Sequence, residues 1–169
     1  MGTINGGQPM KVRVGQGFDI HRFEVESTPG RRLILGGQVF EGERALVGHS
    51  DADVIAHAVA DALLGAAGLG DIGEHFPDTD ALWKNADSIE ILRSVASMLA
   101  EAGWSVGNVD CSVVCERPKL ASHREAMQRT LSDAVGAPVT VKGRRAEGLG
   151  AIGRNEGIAC FASAVITRD

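Results

Sequence analysis

The chain has 169 residues, of which 44% are hydrophobic and 23% are charged, with a formal net charge of −5. This length predicts one domain with a core large enough to fold without disulfides or a structural metal. The acidic balance argues against a protein of nucleic acids or membrane surfaces, and no apolar run is long enough to cross a bilayer. Three cysteines, Cys111, Cys115 and Cys160, lie in apolar runs, which favours reduced core thiols in a cytoplasmic protein.

The N-terminal residues 1–10 are polar and lack the apolar region of a signal peptide. We interpret them as a disordered lead-in or a cloning remnant, and we assign the domain to residues 11–169. From Lys11 onwards, apolar and polar residues alternate, which predicts a strand. If that strand continues, Asp19 and His21 point the same way, because side chains on a strand repeat every second residue.

The remaining elements alternate between helix and strand patterns. A Gly-Gly turn within 31–40 predicts two short strands, and a long helix is predicted over 49–68. Ser50 is the predicted N-cap of that helix, with Asp53 three residues later, as in a capping box. The other predicted helices and strands are 88–102, 106–116, 122–135, 139–144 and 158–167. The last strand is almost wholly apolar and is therefore predicted to be central, in one sheet with helices packed against it.

The predicted first helix carries Asp53, His57 and Asp61 at intervals of four residues, so these side chains stack on one face. His57 combined with Asp19 and His21 gives one carboxylate and two imidazoles. This is the ligand set of a catalytic zinc site that keeps its fourth position open. The pattern leaves two ordinary alternatives, which are a solvated helix face for His57 and a simple His–Asp hydrogen bond.

Three further features suggest contacts with a charged ligand. His49 lies beside the predicted helix start, where free backbone N–H groups favour an anion. Around Phe76, Asp71, Asp78 and Asp80 form an acidic loop that is either a calcium or magnesium site or a solvated loop. The residues of a basic, glycine-rich stretch suit a phosphate-bearing ligand, or form an ordinary basic loop: Lys142, Arg144, Arg145 and Arg154. The stretch VGQGFD lacks the third glycine of a dinucleotide-binding fingerprint, so that interpretation is rejected.

Several stretches, taken together, resemble the 2-C-methyl-D-erythritol 2,4-cyclodiphosphate synthase family of the non-mevalonate isoprenoid pathway. They are GQGFDIHRF, LGG, GHSDADVIAHAVADALLGAAGLGDIG, FPDTD, ERPKL and IGRNEGIA, and the resemblance runs from about Val12 to the C-terminus. It implies an α+β fold, a single-domain two-layer sandwich of a mixed β-sheet with helices on one face. It also implies a homotrimer whose active sites lie at subunit boundaries, with the cytidine held by one chain and zinc by its neighbour.

The resemblance implies a reaction as well. The 2-phosphate of 4-diphosphocytidyl-2-C-methyl-D-erythritol 2-phosphate attacks the β-phosphorus, which closes a cyclic diphosphate and releases CMP. Asp19, His21 and His57 match the zinc ligands, and Glu147 matches the one protein ligand of a second cation, Mg²⁺ or Mn²⁺. His49 is the residue matched to transition-state stabilisation.

The positions matched to substrate contacts fall into four groups along the chain. They are Asp19, His21, His49 and Ser50; Asp71, Ile72, Gly73, Phe76, Pro77, Asp78, Thr79 and Asp80; Cys115, Glu116, Arg117, Pro118, Lys119, Leu120 and Ala121; and Arg144, Ala146, Glu147, Ala151 and Arg154. Within them, 71–73 match the part that holds the methylerythritol portion, with 76–80 continuing that wall. Residues 115–121 match the cytosine pocket, and Arg154 matches a phosphate-binding arginine.

One pair of residues departs from the family pattern. Arg144 and Arg145 replace a Thr-Thr or Thr-Ser pair whose second hydroxyl binds phosphate and stabilises the transition state. Arg145 is therefore retained as a candidate catalytic residue, and Ala151, which replaces a bulkier residue, makes room for it. Two alternatives follow, a trimer that binds zinc and cytidine nucleotides without turnover and a zinc phosphohydrolase that releases a linear diphosphate.

Overall fold

The structure is a computed structural model that describes residues 10–26 and 28–169. All of the predicted lead-in except Met10 lies outside these residues. The strands are β1 (Lys11–Arg22), β2 (Leu33–Leu35), β3 (Gln38–Phe40), β4 (Ser105–Val114), β5 (Val139–Arg144) and β6 (Gly157–Arg168). The helices are α1 (Val54–Ala67), α2 (Ile72–His75), α3 (Ser88–Glu101), α4 (Arg124–Val135) and α5 (Gly150–Gly153), with a 3₁₀ turn at Ala81–Trp83.

The main sheet has the strand order β1-β6-β4-β5. Strand β6 runs antiparallel to both of its neighbours, whereas β4 and β5 are parallel, so the sheet is mixed. This order confirms the prediction that the apolar C-terminal strand is central. The predicted hairpin is also present, since β2 pairs with β3 across Gly36 and Gly37, which both have positive φ.

Helix α1 is the central helix of the core, and it packs against β1 and β6 on one face of the sheet. Helices α3 and α4 continue this layer, which gives the predicted α+β sandwich. The other sheet face carries large apolar side chains that remain exposed. Their exposed fractions lie between 44% and 70%, and they belong to Val12, Val14, Phe18, Ile20 and Phe161.

Two glycines of β1 let the strand backbone approach the helix layer closely. Gly15 and Gly17 alternate with exposed residues along β1 and face α1. A Cβ built on Gly17 would lie 2.0 Å from the carbonyl oxygen of Ala58, and one built on Gly15 would lie equally close to the carbonyl oxygen of Ala62. The G-x-G of VGQGFD is therefore a packing motif, in which only hydrogen side chains let the strand reach the helix.

The first helix begins later than predicted. It starts at Val54, and its N-cap is Asp53, whose carboxylate accepts hydrogen bonds from the N–H groups of Ile55 and Ala56. The assignment of Ser50 as N-cap is therefore wrong. Asp53 takes that role because its carboxylate can accept two N–H groups at once, and residues before it turn through Ala52, which has a positive φ. Helix α4 likewise begins at Arg124, two residues later than predicted.

The close packing of β1 on α1 gives a prediction with a matched control. Gly17→Ala should destabilise the fold by about 3 kcal/mol or more, because the new methyl group collides with backbone rather than with a movable side chain. Gly65→Ala, at an exposed helical position where the new methyl group would make only an ordinary contact with the Gln16 carbonyl oxygen at 4.0 Å, should instead stabilise it by about 0.5–1 kcal/mol. Urea unfolding midpoints would measure both changes, and equal midpoints for the Gly17 variant and the wild type would contradict the packing argument.

Candidate metal centre and pocket

Three side chains from β1 and α1 converge on one point. Asp19 Oδ2 lies 3.0 Å from His21 Nε2 and 3.0 Å from His57 Nδ1, and the two nitrogens lie 3.4 Å apart. A tetrahedral cation with bonds of roughly 2.0–2.2 Å needs its ligand atoms roughly 3.3–3.6 Å apart. The donor atoms therefore already lie close to the spacing that a small cation requires. Among the residues that the structure describes, this is the one group of three potential ligands so arranged.

The outer hydrogen bonds of the two imidazoles direct their lone pairs inwards. His21 Nδ1 lies 2.7 Å from the carbonyl oxygen of Val47, which can only accept, so Nδ1 carries the hydrogen. His21 Nε2 then offers a lone pair to the cluster. His57 turns Nε2 outwards to the hydroxyls of Ser50, at 3.1 Å, and Ser88, at 2.9 Å. Ser88 comes from another helix, α3, and no sequence pattern predicted its role.

The charges within this cluster depend on each other. Burial by itself raises the pKa of Asp19, but the two imidazoles, whose ring nitrogens each lie 3.0 Å from Oδ2, together outweigh it and lower the pKa below its usual range. Burial lowers the pKa of His21, whereas the contact with Asp19 reverses this effect and raises the pKa above its ordinary value of 6.5. The cluster therefore holds a carboxylate beside a readily protonated imidazole, and a cation must compete with that proton.

Two residues of the predicted stack on α1 lie outside the cluster. Asp53 is buried, and its carboxylate accepts hydrogen bonds from Gly36 N–H at 2.9 Å and Gly37 N–H at 2.7 Å. It therefore ties the β2–β3 hairpin to the start of α1. Asp61 accepts a hydrogen bond from the N–H of Ile72, and burial raises its pKa. The prediction of a shared polar helix face is wrong, because the carboxylate that contacts His57 comes from β1.

The predicted anion site at the start of the first helix is also wrong in its physical basis. The first N–H groups of α1 are already taken by the Asp53 carboxylate. His49 lies five residues before the helix, and its Nε2 is 3.0 Å from the carbonyl oxygen of Asp80. Any role of His49 therefore depends on its own imidazole and on the segment around Asp80.

The acidic loop residues have separate structural roles. Asp71 caps α2 by accepting from Glu74 N–H, and Asp80 caps the 3₁₀ turn by accepting from Leu82 N–H. Nothing in the described residues groups them with Asp78 as potential metal ligands. The other predicted substrate contacts of this stretch lie in α2 or directly after it: Ile72, Gly73, Phe76, Pro77 and Thr79.

A cavity of about 920 Å³ lies at the ends of β4 and β5. The seven residues of the predicted cytosine pocket, 115–121, all line it, together with Arg144 and Arg145. The wall is completed by Phe40, Glu41, Glu43, Ser122, His123, Arg124, Gly143 and Asn155. The remaining predicted phosphate-loop residues are not part of the lining: Ala146, Glu147, Ala151 and Arg154.

Three basic residues in or near this cavity are paired with carboxylates. Arg145 donates from Nε and Nη2 to Glu116 Oε2, at 2.9 and 2.8 Å, and its contact lowers the pKa of Glu116. Arg154 pairs with Glu156, and Lys142 pairs with Asp110. The pair of Arg145 and Glu116 links the loop after β5 to the segment after β4.

The metal cluster and the cavity belong to different parts of one chain. None of Asp19, His21 and His57 lines the cavity. Both sites lie at the same end of the strands, because Asp19 of β1 pairs with Cys160 of β6, and Cys160 pairs with Val113 of β4. However, β1 and β5 are the two outer strands, about 14 Å apart at the usual strand spacing. The described residues of one chain therefore do not bring the cluster and the cavity into a single enclosed site.

Comparisons with known proteins identify close relatives. The model of the YgbB family matches residues 12–167. A 2-C-methyl-D-erythritol 2,4-cyclodiphosphate synthase from Cupriavidus pinatubonensis is 51% identical over 163 residues, covering 95% of this chain and 94% of the relative. A bifunctional enzyme IspD/IspF from Anaeromyxobacter dehalogenans is 52% identical over 93% of this chain, which spans only 40% of that relative's length. Among solved structures, IspF of Plasmodium falciparum in a CDP complex superposes with a TM-score of 0.80 at 32% identity, over 94% of this chain and 97% of that one.

The cluster geometry predicts how a single substitution affects metal binding. His57→Ala should abolish tight zinc binding, because it removes one of three ligands and leaves only Asp19 and His21, while the fold stays intact. Zinc content after dialysis would measure binding, and circular dichroism would measure the fold. His75→Ala, which removes an imidazole outside the cluster, serves as the control and should bind zinc like the wild type. Full zinc loading of the His57 variant would contradict the assignment of the cluster as a metal site.

Proposed function

The chain belongs to the YgbB family, and from this premise we propose that it converts 4-diphosphocytidyl-2-C-methyl-D-erythritol 2-phosphate to 2-C-methyl-D-erythritol 2,4-cyclodiphosphate and CMP. The observation that carries this proposal is the convergence of Asp19, His21 and His57 in a chain about half identical to synthases of that name. The relatives support cyclodiphosphate synthesis in isoprenoid biosynthesis, and they do not favour the alternative without turnover.

The reaction balances without an external nucleophile. An oxygen of the 2-phosphate forms a bond to the β-phosphorus, and the bond from that phosphorus to the bridging oxygen of CMP breaks. The 2-phosphate is already an anion at neutral pH, so no general base is needed. Catalysis then consists of positioning and of neutralising charge, as phosphoryl transfer generally requires. In class, this is a phosphorus–oxygen lyase that cyclises its substrate.

We propose zinc as the cation held by the cluster, since two imidazoles and one carboxylate at this spacing suit it. When bound, it supplies a Lewis acid that withdraws charge from the β-phosphate. Glu147, an exposed carboxylate, would hold a second cation, Mg²⁺ or Mn²⁺. A cation of this kind keeps water and phosphate oxygens as most of its ligands, so one protein carboxylate is enough.

The cavity suits the cytidine end of the substrate. Its wall includes 115–121, the segment directly after β4, and one solved relative is a CDP complex. The methylerythritol portion would contact Ser50, the segment 71–73 and the segment 76–80. His49 would stabilise the transition state. The phosphates would contact the loop after β5, through Arg144, Arg145, Ala146, Ala151 and Arg154.

Arg145 is held in place by Glu116 rather than free to collapse into the cavity. Its guanidinium lines the cavity wall and is two-thirds exposed, so it can still attract the diphosphate. We therefore propose that Arg145 contributes positive charge where relatives of this kind use a threonine hydroxyl. A phosphohydrolase would use the same cluster but would release a linear diphosphate.

We also propose that the enzyme is a homotrimer with active sites at the subunit boundaries. Two observations support this assembly. The sheet face opposite the helices leaves Val14 70% exposed and Phe18 49% exposed, an apolar surface that needs a partner. The cavity and the metal cluster are separated within one chain, so a neighbouring copy is needed to bring them together.

The domain assignment to 11–169 and the cytoplasmic location remain part of the proposal. Within the described residues no helix is long and apolar enough to cross a membrane. Cys111, Cys115 and Cys160 are all free and buried, which suits a reducing compartment.

The reaction is tested by phosphorus NMR of the purified protein with the cytidine substrate, zinc and magnesium. We expect a cyclic diphosphate and an equal amount of CMP. A linear diphosphate would favour the phosphohydrolase. Unchanged substrate with a folded, zinc-loaded protein would contradict the proposal and favour the form without turnover, and Arg145→Thr would then show whether the arginine is responsible.

The shared active site is tested by mixing two inactive variants. His57→Ala removes one ligand of the metal cluster, and Ala121→Trp fills the cavity from an exposed position on its wall. Each variant alone should be inactive. Co-expressed, they should form mixed trimers in which an intact cavity meets an intact cluster, and activity should return. Mixed oligomers that remain as inactive as either variant would contradict sites shared between chains, and light scattering would verify the oligomeric state.

A further inference from the structure

The outward side of His57 is closed by a buried hydroxyl from a distant part of the chain. Ser88 is the first residue of α3, is 1% exposed, and places its Oγ 2.9 Å from His57 Nε2. It lies 31 positions further along the chain than His57. The metal cluster is therefore contacted by α3 as well as by β1 and α1.

Ser88 is itself held by a carboxylate. Its hydroxyl contacts Asp51 Oδ1, and its backbone N–H donates to Asp51 Oδ2 at 3.1 Å. An ionised carboxylate has no hydrogen to give, so the Ser88 hydroxyl must donate to Asp51. The single hydrogen of that hydroxyl is then committed, and its oxygen can only accept from His57.

This chain of contacts determines the tautomer of His57. Nε2 must carry the hydrogen that Ser88 accepts, and in a neutral imidazole the lone pair is then on Nδ1. Nδ1 is the nitrogen that faces the cluster, 3.0 Å from Asp19 Oδ2 and 3.4 Å from His21 Nε2, from which it can accept a hydrogen bond when His21 is protonated and no cation is bound. Ser50 is compatible with this arrangement, because its hydroxyl can donate to Ser88 Oγ at 3.3 Å, which leaves its lone pairs for Ala52 N–H and for His57 Nε2 at 3.1 Å.

We infer that Ser88, oriented by Asp51, is a positioning residue that fixes the ring and tautomer of His57 for metal binding. This inference rests on the proposed role of His57 as a metal ligand. Helix capping does not account for the Ser88 hydroxyl, because the N-cap of α3 is Asp87, whose carboxylate accepts from Ile89 N–H at 2.8 Å. The hydroxyl is thus free of the helix start and directed at the imidazole.

The test uses the full chain, with zinc as the probe. Zinc affinity is measured by competition with a chelator, and the His57 tautomer is measured in the metal-free protein by long-range ¹H–¹⁵N NMR. Ser88→Ala should weaken zinc binding about 10–100-fold, the usual effect of removing the hydrogen-bond partner of a ligating histidine. It should also shift metal-free His57 away from the single Nε2–H form. Ser88→Thr keeps the hydroxyl and should recover most of both properties.

Ser94→Ala is the matched control, since it makes the same change on an exposed face of α3, where the hydroxyl contacts Glu90. It should leave affinity and tautomer unchanged. Ser88→Ala with wild-type zinc affinity and an unchanged Nε2–H tautomer would overturn the inference. If Ser88→Ala fails to fold, Asp51→Asn tests the same relay, and wild-type values there overturn it equally. The tautomer is measured without metal. A failure of the inference about Ser88 can therefore be distinguished from a failure of the zinc assignment.

Discussion

The close approach of β1 to α1 is the constraint on which the rest of the site depends. Gly17 lets the strand lie against the backbone of Ala58, the residue directly after His57. At that separation, the period of two along β1 places Asp19 and His21 on the side facing the helix. A side chain at Gly17 would push these layers apart and would spread ligand atoms that now lie 3.0–3.4 Å from one another.

The segment before α1 provides the second constraint. Val47 accepts from His21, and Asp53 ends the segment by capping the helix and tying it to the β2–β3 hairpin. Between them, the guanidinium of Arg31 donates to the carbonyl oxygens of Leu46, Gly48 and Ser50. These bonds keep an irregular stretch rigid without secondary structure of its own. The imidazole of His21 is thus oriented by the carbonyl group of Val47, which belongs to a backbone segment that is itself held in place by hydrogen bonds.

How much of this could be predicted follows from the range of each interaction. The strand period at Asp19 and His21 and the helical pattern around His57 are local, so the sequence alone predicted three ligands. The assignment of Ser50 as N-cap failed because two acceptors compete for the same N–H groups, and a spacing rule does not rank them. Ser88 could not be predicted, because only tertiary packing brings the start of α3 to His57.

The resemblance to a family was informative at a different level. It matched 115–121 to a cytosine pocket, and these residues line one cavity, although their own pattern has no signal for a base. It also raised the question of Arg145, which pattern and resemblance together could not answer. The answer depends on which side chain of the neighbouring segment faces Arg145, and only the structure shows this.

The side chain that faces Arg145 is Glu116, and this contact changes the charge and the position that the arginine brings to the cavity. A threonine is neutral, whereas an isolated arginine would add a full positive charge to the phosphate loop. Paired with Glu116 Oε2 through two nitrogens, Arg145 has part of its charge balanced and its position fixed, while its guanidinium stays two-thirds exposed and still presents positive charge. Gly148 N–H also approaches the same carboxylate, at 3.4 Å, so the loop and the pocket segment are held as one unit. The departure from threonine is therefore accompanied by a carboxylate that determines where the arginine side chain lies.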